Sequence, residues 1–178
     1  MLFQYKKLMK LNKNLVLVGM MGSGKSLIGK ILSKRLEFEF IDTDNKIEEM
    51  EKKTISEIFK KNGEKYFRNI EEVISLKSLQ LNNKVIALGG GGYINSTIRK
   101  YTLKKCISVW LNWKNETLIY RIKNSKKRPL AMKLNNLELQ KLIIKRSTMY
   151  NLSDYKINCD KLDKKQIVEK IIKLYENS

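Results

Sequence analysis

Residues 19–26 read Gly-Met-Met-Gly-Ser-Gly-Lys-Ser, the spacing G-x-x-x-x-G-K-[ST], directly behind the apolar run Leu15-Val16-Leu17-Val18. Glycines at these places let the backbone curl around an anion, so that successive N–H groups converge on it at the positive end of the following helix. Such a loop needs a strand before it and a helix after it, so the motif constrains fold as firmly as chemistry. The apolar run fits a strand buried on both faces, as in a parallel sheet. A helix is expected over 25–36, with Ile28, Ile31, Leu32 and Leu36 facing inward. The motif assigns Gly22, Ser23, Gly24 and Lys25 to the phosphates of a nucleotide, with ATP expected. Lys25 would reach the β and γ phosphates and Ser26 would offer its hydroxyl to Mg2+. The bland alternative is a glycine-rich turn that binds nothing.

Strands are expected at 38–41, 85–88, 107–111 and 155–157. Helices are expected after Asp44, from Thr54 to a stop near Gly63, and over 64–79, 116–123, 137–150 and 165–175. Thr54-Ile55-Ser56-Glu57 has the S/T-x-x-E form of a capping box. Alternating strands and helices predict an α/β, three-layer P-loop fold, with a mainly parallel five-stranded sheet flanked by helices. One domain is expected over 14–178, behind a basic, flexible or loosely docked extension at 1–13. In such sheets ligands bind outside the carboxyl ends of the strands. The glycines of the loop, Asp42 and Asp44, and the run Gly89-Gly90-Gly91-Gly92 all fall at such ends.

Thirty-seven basic residues against eighteen acidic give a net charge of +19. Charge of that sign can mark a nucleic-acid surface. Here, however, the excess is Lys spread along the whole chain, which reads as Lys-rich composition and makes each of the six Arg more informative. No nucleic acid is expected as a partner, although a non-catalytic P-loop domain that binds nucleic acid stands as the rival of another class. The chain has no His, which excludes chemistry that depends on imidazole. Cys106 and Cys159 are too few and too far apart for a disulfide framework or a zinc site. No apolar run approaches the roughly 20 residues that span a bilayer, so no membrane partner is expected, and a cytoplasmic monomer is the default. A GTPase would carry a base-reading N-K-x-D, which is missing.

Behind the loop come Asp42-x-Asp44, Gly63-Glu64-x-x-Phe67-Arg68-x-x-Glu71, Gly89-Gly90-Gly91, Arg128-Pro129-Leu130 and Arg146. In this order and spacing the chain resembles the shikimate kinase family from about Asn14 to its end. The resemblance implies ATP-dependent phosphorylation of the 3-hydroxyl of shikimate, a cyclic carboxylate, giving shikimate 3-phosphate in aromatic amino-acid biosynthesis. It implies that Asp44 hydrogen-bonds the reacting hydroxyl and accepts its proton. Asp42 would hold Mg2+ through its water shell, with Ser26 as the direct ligand. Arg68 and Arg146 would clamp the carboxylate, since a planar guanidinium meets it with two parallel hydrogen bonds. Glu71, one helical turn from Arg68, would hold that guanidinium. Gly90 and Gly91 would bring backbone close to the ring.

On the nucleotide side the resemblance assigns Arg121 to the adenine and Arg128 to the transferring phosphates. The two bracket residues 122–127, where the resemblance implies that a mobile lid over about 122–135 begins. Cys159 falls in an adenine loop, Asn158-Cys159-Asp160, that is weakly marked. Leu27 follows Ser26 where the family has a second hydroxyl, which removes a supporting contact to the α phosphate. The proline that the family carries two residues after Arg146 is missing. Plainer readings stand beside these. Asp42 to Asn45 could be an Asx turn, with Asp44 or Asn45 as the helix cap; Arg68 and Glu71 could be a surface ion pair; and the lid could be a solvated basic loop. A gluconate or nucleoside monophosphate kinase of the same architecture is the nearest alternative.

Overall fold

The computed structural model describes residues 13–125 and 134–178. Along the chain lie β1 (Leu15–Val18), α1 (Lys25–Leu36), β2 (Glu39–Asp42), α2 (Thr43–Glu51), α3 (Ile55–Leu79) and β3 (Lys84–Ala87). A 3-10 turn (Gly92–Ile94), α4 (Ser96–Lys105), β4 (Ile107–Asn112), α5 (Asn115–Lys123), α6 (Asn136–Tyr150), β5 (Tyr155–Asn158) and α7 (Lys164–Glu176) follow. The sheet has five strands in the order β2-β3-β1-β4-β5, every pairing parallel.

The residues of β1 are 0–1% exposed, as an apolar run at the centre of a doubly covered sheet must be. Their side chains alternate. Leu15 and Leu17 join Ile28 and Leu32 of α1 and Ile167 and Ile171 of α7 in a core on one face. Val16 and Val18 join Leu79, Ile98, Leu118, Leu139 and Ile143, from α3 to α6, on the other. Each such side chain contributes about 1.5–3 kcal/mol when fully buried, so these two cores fix the three layers. Asn14 closes the bottom of β1. Its amide donates to Leu79 O at 2.9 Å and Leu81 O at 2.5 Å, and its Oδ1 accepts from Lys84 N–H at 2.9 Å. At the opposite end β1 lies between β3 and β4, and the chain leaves it through the phosphate loop. A crevice for ligands forms at such a place.

The helical path breaks at Gly63, where the sequence pattern places a stop: Gly63 takes the non-helical φ 81 and ψ 174, so that α3 is two helical segments meeting at a kink. Glycine adopts that conformation without a Cβ clash, and the helical pattern resumes on the far side. The start of α3 is as expected, with Glu57 accepting from Thr54 N–H at 2.7 Å and Thr54 Oγ1 from Glu57 N–H at 3.3 Å. One expectation about helices needs correction: the sequence pattern does not announce α4, because only Ile98 and Thr102 of it are buried. Of the extension expected over 1–13 only Lys13 is described, and of the lid expected over 122–135 residues 126–133, with Arg128, lie outside the described residues. Among the described residues no helix is long and apolar enough to cross a membrane.

Candidate active site

Gly19, Gly22 and Gly24 adopt φ of 141, 80 and 89, values that side chains other than glycine reach only with strain. They turn the chain from β1 into α1 around an open cradle, in which a Cβ on Gly24 would meet nothing within 4 Å. Lys25 is 8% exposed, and its ammonium spans the loop, donating to Gly19 O at 2.8 Å and Met20 O at 3.0 Å. The hydroxyl of Ser23 is buried with no hydrogen-bond partner. A buried orphan hydroxyl in a glycine cradle at a helix N-terminus fits a loop shaped for phosphate. Leu27, on the first turn of α1, is half exposed. Arg121, from α5, lies against this loop, its Nη1 donating to Gly22 O at 3.4 Å.

Asp42 serves two neighbours at once. Its Oδ1 accepts from the N–H groups of Asp44 at 3.1 Å and Asn45 at 3.4 Å, and its Oδ2 accepts from the Ser26 hydroxyl at 2.5 Å. The cap of α2 is therefore Asp42, not Asp44 or Asn45. Asp42 is still extended, with φ −106 and ψ 115, the geometry an N-cap needs, whereas Asp44 already lies in the first turn. A hydroxyl and a carboxylate at the positive end of α1 make a hard-oxygen pair that suits Mg2+. This ion is usually held by one or two protein ligands together with substrate phosphates.

The acceptor half gathers around the glycine run after β3. Thr43, fully buried between the two aspartates, accepts from Gly89 N–H at 2.9 Å and donates to Ala87 O at 3.3 Å. A Cβ on Gly89 would lie 2.3 Å from Asp44 Oδ1 and 3.0 Å from Glu71 Oε1, so both carboxylates converge on this loop. One on Gly91 would lie 2.3 Å from Arg68 Nη1, and one on Gly90 would lie 3.5 Å from Arg146 Nη1. Two guanidinium groups from α3 and α6 thus stand over consecutive residues of one loop. The Tyr150 hydroxyl, one helical turn beyond Arg146, donates to Gly90 O and ties α6 to the loop. This tie sets the end of α6 although the proline after Arg146 is missing. Arg146 Nη1 also lies 3.8 Å from Met20 Sδ in the phosphate loop, which joins the two halves.

Arg68 and Glu71 are not an ordinary surface pair. Arg68 Nη1 donates to Glu71 Oε2 at 2.6 Å, and the Glu71 side chain is 2% exposed. Nε and Nη2 of Arg68 each donate to Glu64 Oε1 at 3.2 Å. Burial pushes the Glu71 carboxyl above the usual carboxylate range, Arg68 pulls it part of the way back, and the nearby Asp44 charge adds to the rise. Burial pulls Arg68 the other way, but Glu71 and Glu64 outweigh it and leave the guanidinium more strongly protonated than usual. Glu71 Oε1 is buried with no hydrogen-bond partner.

Cys159 does not offer its side chain to a nucleotide. It has no exposed surface, because the residue after β5 turns into the core beneath α1 and α7, where its thiol donates to Ile157 O at 3.3 Å. Burial pushes that thiol up to about 12. The neighbouring Asp160 shapes the loop instead, accepting from Lys114 N–H at 2.9 Å and Thr117 Oγ1 at 2.8 Å. Thr43, Tyr150 and Trp113 were missed in the sequence. Each acts through a partner distant in the chain, and the only available signal was position: between two aspartates, one turn after an Arg, and just past an apolar strand.

One substitution probes the crowding at the glycine loop. Gly91→Ala is expected to fold normally, because the atom that its Cβ meets is the movable tip of Arg68. Displacing that tip should raise KM for a carboxylate-bearing acceptor about tenfold, the equivalent of one charge-assisted hydrogen bond, and leave KM for ATP unchanged. Steady-state kinetics on the purified variant checks this, and an unchanged acceptor KM would separate Arg68 from acceptor binding.

A family model described as shikimate kinase matches residues 21–176. A shikimate kinase of Caldanaerobacter subterraneus subsp. tengcongensis is 35% identical over 164 residues, covering 92% of this chain and 96% of its own length. One of Bartonella henselae is 39% identical over 163 residues, covering 91% of this chain and 78% of its own length. The solved structure of a shikimate kinase from Acinetobacter baumannii in complex with shikimate superposes with a TM-score of 0.88, at 31% identity over 95% of each chain. The matched region takes in Lys25 and Ser26 as well as the ring of Asp44, Arg68, Gly90, Gly91 and Arg146, and with both halves of the site inside it the chain belongs to the shikimate kinase family.

Proposed function

We propose that this chain transfers the terminal phosphoryl group of ATP to the 3-hydroxyl of shikimate, giving shikimate 3-phosphate and ADP. The observation that carries the reading is the pair of guanidinium groups on consecutive glycines of the loop that also meets Asp44, beside a phosphate-binding loop. Two Arg so placed suit a carboxylate, and a hydroxyl-bearing edge of the acceptor would then lie toward Asp44. The relatives and the solved neighbour with shikimate support the same acceptor.

In this reading Gly22, Ser23 and Gly24 offer backbone N–H groups to the phosphates, and Lys25 leaves its carbonyl partners to follow the moving charge. Ser26 and Asp42 are the residues that would hold Mg2+, which supplies charge neutralisation at the phosphate oxygens. Arg68 and Arg146 fix the acceptor by its carboxylate, and Asp44 orients the 3-hydroxyl and takes its proton as the new P–O bond forms. Because the transition state is loose, that proton leaves late, and orientation is the larger part of what Asp44 supplies. Arg121 would lie beside the base, and the family resemblance assigns Arg128 to the transferring phosphates and the region 122–135 to a lid that would exclude water as a competing acceptor.

A coupled ADP-release assay with ATP, Mg2+ and a panel of acceptors tests the proposal. Shikimate should stimulate ADP release strongly, whereas gluconate and nucleoside monophosphates should not. Turnover on either of the latter, without stimulation by shikimate, would overturn it.

A further inference from the structure

Trp113 stands outside every motif of the sequence, just past β4 and before α5. Its indole N–H donates to Ser23 O in the phosphate loop at 2.9 Å, across ninety positions of sequence. The face of the same indole carries the Arg121 guanidinium, whose centre is 3.7 Å from the ring centroid. Arg121 in turn reaches Gly22 O at 3.4 Å. Trp113 packs against the apolar cores on both sides of the sheet, so neither contact is made by a loose side chain.

We propose that Trp113 is the positioning residue of the nucleotide half of the site: one indole fixes the backbone of the phosphate loop and holds flat the guanidinium on which the purine lies. A guanidinium is planar with two faces. An aromatic ring on one face leaves the other as a stacking platform, oriented before the nucleotide arrives. The hydrogen bond to Ser23 O sets the distance between that platform and the phosphate cradle, which is the distance between the base and phosphates of the nucleotide. The two contacts are chemically separable. Phenylalanine keeps an aromatic face and removes the donor, whereas leucine removes both.

The inference rests on the reading of Arg121 as the contact to adenine, and the experiment separates the two. Calorimetric titration with ATP is run on the wild type, Trp113→Phe, Trp113→Leu, Arg121→Lys and the double variant Trp113→Leu/Arg121→Lys. The dissociation constant should rise about threefold for Trp113→Phe, which loses one hydrogen bond. It should rise about tenfold for Trp113→Leu, which also loses the stack. The double variant should bind little worse than Trp113→Leu, because both substitutions remove one shared element. KM for shikimate should stay at the wild-type value in Trp113→Phe, a split that a general loss of structure would not give. Of the two tryptophans, Trp113 should carry the change of emission on adding ATP, so the change should be present in the wild type and missing in Trp113→Phe. Should Trp113→Leu fail to fold, Trp113→Phe alone decides. ATP affinity equal to wild type in Trp113→Phe together with an unaltered emission response overturns the role of Trp113. Strictly additive losses in the double variant overturn its action through Arg121. If Arg121→Lys binds ATP as the wild type does, the reading of Arg121 fails while the splint on Ser23 is still judged by the Phe variant.

Discussion

Asp44→Asn is expected to lower kcat with shikimate by about 10²–10⁴-fold, the range associated with loss of a positioned proton acceptor, while ATP binds as in the wild type. The separation follows from which aspartate does what. Asp42 caps α2 and holds the Ser26 hydroxyl, so the backbone at the end of β2 does not depend on Asp44. Thr43 fixes the same backbone to the glycine loop through Gly89. Asn therefore enters an unchanged frame with nearly the same shape, but its amide cannot take a proton. The size of the loss also discriminates between two uses of the carboxylate. If Asp44 chiefly orients the hydroxyl and the proton leaves late, the effect should fall near the lower bound. Steady-state kinetics with calorimetric titration of ATP measures both quantities. A kcat within threefold of wild type would remove Asp44 from the mechanism. Asp42→Asn offers the contrast, since it touches the cap and the Ser26 pair together and should weaken folding as well as turnover.

What could be read in the sequence was what local chemistry dictates. A glycine-rich loop between an apolar strand and a helix admits few geometries, so the phosphate cradle and the parallel sheet around β1 were legible. The strand ends followed, and with them the convergence of Asp44 and the glycine run. Arg68, Arg121 and Arg146, which lie around the two loops, were noticeable for a different reason: in a chain whose positive charge is mostly Lys, Arg stands out where planar recognition is needed. The rest depended on contacts that no window of sequence contains. Asp42 became the cap because of its extended backbone, which Ser26 of α1 helps to hold. Cys159 turned inward because β5 lies against α1 and α7. Trp113, Thr43 and Tyr150 each bond to a backbone group between 46 and 90 positions away. The break at Gly63 was legible from the glycine itself, whereas α4, with its thin buried stripe, is settled by what it packs against and not by its own periodicity.

Arg68→Lys is expected to raise KM for shikimate by about 10–100-fold, because a hydrogen bond to a charged group contributes about 1.5–3 kcal/mol and each 1.4 kcal/mol is a factor of ten. KM for ATP and the unfolding temperature should change little. Lysine keeps a positive charge beside the Glu71 carboxylate, so the buried partner stays balanced, but one ammonium cannot give the two parallel bonds of a guanidinium. Arg68→Ala would confound the two effects. It would leave a carboxylate whose side chain is 2% exposed without its paired counter-charge and with only the weaker influence of Arg146, and burial already holds that carboxyl above the usual range. The stability cost should lie at the low end of the roughly 3–5 kcal/mol seen when a buried pair is broken, since Arg68 itself keeps 35% of its side chain exposed. Glu71 would then take up a proton more readily, because the charge that lowered its pKa is gone. Lysine therefore isolates recognition and alanine adds stability, and measuring both variants by kinetics and thermal unfolding tells them apart. An unchanged shikimate KM in Arg68→Lys would reduce Arg68 to a partner of Glu71 and leave Arg146 as the group that meets the carboxylate.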